Sequence, residues 1–522
     1  MEKKSGKGFM PTTVLFSLTG LLTGTMALAL TQRARSVNQP RDPSGSGSLI
    51  TVRRGDSLQD VLNRSQPGDT IVVEAAAVFR GPFILPNKSG QRYITIQSSR
   101  ASELAPGVRV SPSQSGLLAK LQSATDGQPI VRMAPGANHY KFIGIEFSTT
   151  DASVAVYDLV RFGDSGPAQT TVEAVPHDLV IDRCYIHGFA TQNVQRGVTL
   201  NSAETTISNS YISDIHGVGY DTQAVCGWNG PGPFHIINNH LEGAGENILF
   251  GGADPSIPNL VPSNIEIRRN YVYKPLSWKV GDPSYAGNPW TVKNLLELKN
   301  AQNVVIDGNV FENCWTDAQA GYGILFTVRN QDGTAPWSII RNVQFINNRV
   351  KNSQAALNFL GSDDLHPSQR GSNLTVLNNF FTGISAVFLQ LNGFYDVRIE
   401  HNTHFQSGNI MMLYGERSAG FVYTNNLTIR PEQGYGVFGD AIGEGTVALE
   451  RFTPGYLFQG NVLIKAKKPL YPPRNFFPAS VSAVGFVDFA GGNYRLNPRS
   501  SYKRVGLDQR DAGCDFDKLS MP

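Results

Sequence analysis

Lys299 and Arg329 are the residues of this 522-residue chain whose types and placement could most readily do chemistry. Lys299 follows the strand-like stretch "NLLEL", and Arg329 follows "GILFTV". If the two stretches pair as neighbouring strands, an ammonium and a guanidinium stand about 5 Å apart. At an effective dielectric near 20 their repulsion is roughly 3 kcal/mol. A carboxylate must offset it. The protein's own acids would make a plain ion-pair network, whereas a bound substrate's carboxylate would make a reaction centre. A guanidinium beside a lysine favours the neutral amine, and a neutral amine is a base that can take a proton. The two-residue strand period points Leu296 and Leu298 inward and Glu297 and Lys299 outward.

Other polar residues end strands of the same character. Corresponding strand ends carry Trp228, Asp254, Arg329 with Asp332, and the pair Asp363 and Asp364. The densest unusual stretch runs from Ser213 to Leu260 and holds Asp214, His216, Asp221, Trp228, His235 and Glu246 among many glycines. Glycines beside a groove permit close backbone approach, and an exposed Trp stacks on a sugar face. The same residues also fit an insertion loop with His235 buried in the core. The nine histidines show no HxH or HExxH spacing, so no transition-metal site is expected. His401 and His404 flank a turn and are expected to point different ways.

What positions these residues is a repeat. A phrase of apolar residues, a polar pair ending in Asn, and a second apolar run recurs in "FHIINNHLEG", "VVIDGNVFEN", "LTVLNNFFTG" and "YLFQGNVLIK". Its Asn positions are 239, 270, 309, 348, 379, 402, 426 and 461, with Cys184 and Ser210 at the same step earlier. The spacing falls as low as 23 and 24 residues. Segments of four to six alternating residues exclude helical repeats, and so short a period excludes four-stranded blades. It suffices for three short strands and three turns, one coil of a stacked parallel solenoid. The recurring Asn suits a left-handed bend between strands, and stacked amides can hydrogen-bond from coil to coil. An extended concave surface on such a stack suits an extended guest, a polysaccharide chain above all.

Composition agrees. Gly numbers 53 and charged residues make up 17% of the chain, with 40% apolar, a turn-rich β pattern with enough core. The net charge of +3 comes from the first 48 residues, which hold six Lys/Arg against two Asp/Glu; the remaining 39 basic and 40 acidic residues leave about −1. No field for nucleic acid or an anionic membrane follows. Lys3, Lys4 and Lys7 precede the apolar run Val14–Leu30, and Ala27-Leu28-Ala29 offers a cleavage site, the layout of a secretory signal or an uncleaved anchor. Residues 31–48 read as a flexible linker. A capping helix is expected near Ser57–Ser65 and a strand at Thr70–Glu74. Cys184, Cys226, Cys314 and Cys514 form no CxxC pair and read as small buried hydrophobes.

From Leu49 to Asn497 the chain resembles the right-handed parallel β-helix proteins of the pectate-lyase-like superfamily, including the opening "LQDVLNRSQPGDTIVV" and the ending "GGNYRLNPRSSYKRVGLDQRDAGCDFD". The resemblance implies an all-β, single-stranded right-handed β-helix over 49–497 with a tail at 498–522. A narrower resemblance, "ELKNAQNVVIDGNVFEN" followed by "GILFTVRN", is to β-helix lyases of the alginate lyase and chondroitinase B type. It implies Lys299 as the base and Arg329 as its assistant. The acids with which that family holds calcium are here Val292, Lys293 and Asn294, so no cofactor is expected. Asp363 and Asp364 resemble the paired acids of β-helix galacturonan hydrolases, whose Gly-His-Gly and Arg-x-Lys companions are missing. The expectation is thus an exported, monomeric protein acting on an acidic polysaccharide by β-elimination. Catalysis falls to Lys299 and Arg329, and substrate contact to Glu297, Asp254, Glu246, Trp228, Asp332, Asp363 and Asp364. The alternatives are glycan or protein binding without turnover, and hydrolysis.

Overall fold

Alternating strands and turns close into coils, as one coil illustrates. His177–Asp182 lies in a first sheet, Tyr185–His187 in a second and Val194–Leu200 in a third, and Ala203–Ser208 returns to pair in parallel with His177–Asp182. The structure, a computed structural model, describes residues 47–519. The expected signal or anchor, and nearly all of the linker, lie outside them. Among the described residues the three sheets have fourteen, thirteen and thirteen strands, parallel but for one terminal pair. This is a parallel β-helix.

The core is built from stacked apolar columns, one residue per coil. Ile181, Ile207, Ile236, Ile267, Ile306 and Phe345 follow one another in register down the first sheet, all fully buried. Each column shields its neighbours, which is how coils that cannot fold alone stabilise one another. The capping helix spans Leu58–Arg64, with Ser57 accepting from the Asp60 N–H and Leu58, Val61 and Leu62 buried. A strand at Leu49–Val52 precedes it and pairs with Thr70–Val73.

The asparagine column lies at the turn from the first sheet to the second. Asn309 shows the pattern. Its backbone N–H and its Nδ2 both donate to Asn348 Oδ1, at 2.9 and 3.0 Å, and Nδ2 also donates to the Ile267 carbonyl at 2.8 Å. The same contacts run from Asn239 to Asn461 and end on Asn475. Ser210 and Cys184 continue the column, the Cys184 N–H donating to Ser210 Oγ. One expectation is corrected here. The left-handed residue is not the ladder Asn but the one before it, among them Asn238, Arg269, Gly308, Asn347 and Asn378. The ladder Asn turns its amide inward instead, to be shared by two coils.

The third sheet breaks the simple alternation. Leu295 and Leu296 are both fully buried in the core, so the outward positions of that strand are Asn294 and Glu297, three apart. The parallel strands end at Ile464 in the second sheet, short of Asn497. Beyond them an antiparallel pair, Phe486–Asp488 with Asn493–Leu496, packs its aromatic residues on Phe405 and Phe380. All four cysteines are free, three of them buried. No helix of the described residues is long and apolar enough to cross a membrane.

Candidate functional site

Three neighbouring coils of the third sheet carry Asn294–Leu298, Tyr322–Thr327 and Ala355–Leu360. Parallel register stacks Glu297 on Leu325, Leu325 on Asn358 and Asn358 on Gln390. Lys299 and Arg329 sit just past their strands, where the Arg329 N–H donates to the Lys299 carbonyl at 2.9 Å. The expected neighbourhood of the two cations is therefore present. Both line a cleft of about 540 Å³ together with Glu297, Asp363, Asp364 and Tyr322.

The charges in this cleft are partly paired. Arg329 Nη1 lies 3.1 Å from Asp363 Oδ1 and also bonds Asp364. Asp363 is additionally held by the N–H groups of Asn330 at 2.7 Å and Leu365 at 2.9 Å. Burial pushes the Asp363 pKa up, but these backbone N–H groups and Arg329 hold it below the usual carboxylate value. Asp364 is different, with 63% of its side chain exposed. Lys299 Nζ is 3.9 Å from Glu297 Oε1 and donates to Gln331 at 3.2 Å.

Glu297 points outward from the sheet as expected, yet it is only 2% exposed. Asn294 Nδ2 donates to it at 2.9 Å and Thr327 Oγ1 at 3.3 Å, so neighbouring side chains cover it. One coil earlier, in register with Asn294, lies Glu246. Lys274, itself fully buried, donates to the carbonyls of Gly243, Ala244 and Gly245, fixing the turn that delivers Glu246. Gln223 donates to Glu246 Oε2 at 2.8 Å, and Lys293 Nζ stands 3.6 Å from Oε1 while bonding Asp221. Burial pushes the Glu246 pKa up to about 7, with the charges of Glu297 and Asp221 adding to it against Lys293 and Gln223.

Buried oxygens without a hydrogen bond, Glu246 Oε1 and Asn294 Oδ1, give this corner some character of a cation site. A calcium ion does not fit it. The Lys293 ammonium, on Asp221 and beside Glu246, already supplies the positive charge.

Other expected contact residues lie elsewhere. Asp254 and Asp332 pin two loops together. The Asp254 N–H donates to Asp332 at 3.1 Å, and Asp254 Oδ2 accepts from the Thr334 N–H and hydroxyl at 2.7 and 2.9 Å. Neither lines the cleft. Trp228 stacks under the Arg196 guanidinium, 5.1 Å from its ring centre, and is likewise outside the cleft. His235 is not a core residue but lies on the outer face of the first sheet beside Glu266, at 3.5 Å. His401 bonds Asp508 in the tail, whereas His404 is buried on Phe388, where burial lowers its pKa to about 3. Sequence reasoning missed Tyr322, Asn358 and Gln390 in the cleft. Aligning "YGILFT", "LNFL" and "LQLN" with "NLLEL" would have placed them.

A second hollow, of about 440 Å³, lies where the C-terminal tail packs over Asn378 and His401. Its walls carry ion pairs of the tail itself, including Arg495 with Asp517 and Lys503 with Asp511, so it reads as a packing seam.

No protein-family model and no curated protein sequence matches the chain. Solved structures similar to it include an alginate lyase from Paenibacillus sp. str. FPU-7, at 15% identity over 64% of this chain and 95% of that one, with a TM-score of 0.39. The PL6 family alginate lyase AlyGC is 13% identical over 91% of this chain, with a TM-score of 0.49, and the match spans 60% of that enzyme. A polygalacturonase from Erwinia carotovora ssp. carotovora is 13% identical over 72% of this chain and 95% of that one, with a TM-score of 0.44. At these levels the similarity concerns the β-helix fold and carries nothing about chemistry.

Proposed function

We propose that the protein binds a uronate-containing polysaccharide in the cleft of the third sheet and cleaves it by β-elimination. The observation that supports this reading is the placement of Lys299 and Arg329 on consecutive coils of one cleft. In the step envisaged, the Lys299 amine takes the proton beside the uronate carboxylate. The C–H electron pair becomes the new C=C bond as the C–O bond to the next sugar breaks, and the leaving oxygen takes a proton. Tyr322, in the same cleft, is a suitable donor, because burial raises its pKa and keeps the phenol protonated. The substrate carboxylate would displace exposed Asp364 from Arg329, leaving Asp363, which the backbone holds, in place.

Glycan binding without turnover is the second reading, favoured by the ion pairs that already engage Arg329. Hydrolysis by Asp363 and Asp364 fits less well, since a carboxyl held ionised by Arg329 and two N–H groups is a poor proton donor. The test is to incubate the protein with alginate, pectate and glycosaminoglycans and follow the absorbance of unsaturated uronate ends. Elimination predicts that band with at least one polymer. Retention of a glycan with no such band on any of them leaves the binding reading, and reducing ends without the band would point to hydrolysis.

A further inference from the structure

Eight strands of the first sheet carry a left-handed non-glycine residue near their start, in register with the same position of the neighbouring coils. In four successive later coils the position is Asn, at Asn264, Asn303, Asn342 and Asn373 with φ of 55–58°, and the coil after them carries Asp396 at φ 53°. Their amides hydrogen-bond up the column at 3.3, 2.9 and 2.8 Å. Asn is what the backbone asks for, because its short polar side chain tolerates this conformation.

Three earlier coils hold other residues at this position. They carry His139, Asp178 and Glu204, at φ of 57, 55 and 46° and in the same register. His177 precedes Asp178 on the same strand. These residues converge. His139 Nε2 lies 3.7 Å and His177 Nδ1 2.7 Å from Asp178 Oδ2, and one donor atom from each of the three residues falls within 4.8 Å of the others. Asn138 Oδ1 meets His139 Nδ1 at 2.7 Å, which orients the ring and leaves Nε2 toward Asp178. An outer partner on the far nitrogen is how metal-binding imidazoles are commonly held. Glu204 adds a second carboxyl within hydrogen-bonding reach of Asp178. Acids on adjacent rungs repel one another, and nothing in the backbone requires them there.

We propose that His139, His177 and Asp178 bind one divalent transition-metal ion, with zinc the best fit and Glu204 or water in the fourth position. Zinc with bonds of about 2.0–2.1 Å places tetrahedral donors about 3.3 Å apart, between the two separations observed. Two imidazoles with a carboxylate suit zinc, whereas calcium requires six to eight oxygens. The ion would clip successive coils near the N-terminal end, on a different sheet from the cleft. The spacing rules for metal motifs do not find it, because its ligands come from two coils.

The test uses the full chain, stripped of metal with a chelator and titrated with Co²⁺ followed by visible absorption, then with Zn²⁺ by calorimetry. The expected result is one ion per chain, with a cobalt band that zinc abolishes. The double variant His139→Asn and Asp178→Asn installs the residue the same column holds in four other coils, so the backbone keeps its conformation. Its zinc affinity should fall by about 100-fold or more, beyond the 10–100-fold cost of losing an outer partner, with an unchanged circular-dichroism spectrum. His177→Gln, at a half-exposed strand position, is a second variant that should weaken binding by about tenfold or more. Absence of stoichiometric zinc binding by the unmodified chain would overturn the proposal. So would zinc binding of undiminished affinity by either variant, which would place the ion elsewhere.

Discussion

The asparagine ladder and the wall of the cleft are both columns of polar side chains, one per coil, yet they satisfy themselves differently. In the ladder each amide meets an identical amide one coil on, and its donors and acceptors are used. In the wall and the corner beside it unlike residues stack, and Asn294 Oδ1, Asn358 Oδ1 and Glu246 Oε1 are buried without a hydrogen bond. Repetition lets a column close on itself, whereas variety leaves polar atoms without partners.

That contrast can be broken experimentally at several strengths. The largest effect is expected at the wall. Lys299→Ala should lower the rate of unsaturated product formation by about 10²–10⁴-fold, the usual contribution of a proton-transfer group, without shifting the melting temperature. Retained activity would remove Lys299 from the mechanism.

Next comes the ladder. Asn309→Ala removes the bonds to Ile267 and Asn348 and leaves the Asn270 N–H, which now donates to Asn309 Oδ1 at 2.9 Å, without a partner. Unsatisfied buried groups cost about 1–3 kcal/mol each, so a loss of about 3 kcal/mol is expected in denaturant titration. A loss below about 1 kcal/mol would mean that water replaces the amide.

Glu246 sharpens the comparison through pH. Its folded pKa of about 7 lies above the ordinary value of 4.5. Between those values the unfolded chain releases the proton that the folded chain keeps. Stability from this group is therefore intact below about pH 4.5 and declines until about pH 7. Glu246→Gln should remove that part of the slope, a difference on the order of 3 kcal/mol across the window. Identical pH profiles for the two proteins would refute it.

The smallest effect belongs to the exposed Asn column. Asn342→Gly keeps the left-handed backbone and loses only amide contacts at the surface, so about 0.5–1 kcal/mol is expected.

Much of the architecture was legible because a solenoid repeats its instructions. The Asn period marked the coils, including those where Cys184 and Ser210 stand in, and aligned strand ends brought Lys299 beside Arg329. The helix after Ser57 was legible from apolar spacing and its cap. Side-chain environment was not. Two-residue alternation placed Glu297 outward but could not show that Asn294 and Thr327 cover it, because the inward pair Leu295 and Leu296 shifts the phase of that strand. Asp254 and Asp332 read as cleft residues from position alone, yet insertions of different lengths carry them into a loop contact. His235 read as core and lies at the surface, because Phe234 and Ile236 on either side of it take the inward positions of that strand.

The sequence by itself determined that this chain winds into stacked parallel coils, because alternating apolar residues and a periodic Asn are local signals that each coil repeats. Only the tertiary structure decided which charges meet, since Arg329 with Asp363 and Asp364, Lys293 with Asp221 and Glu246, and His139 with Asp178 are contacts between coils or their insertions. Insertion length sets those meetings, and no local pattern encodes where an insertion folds back.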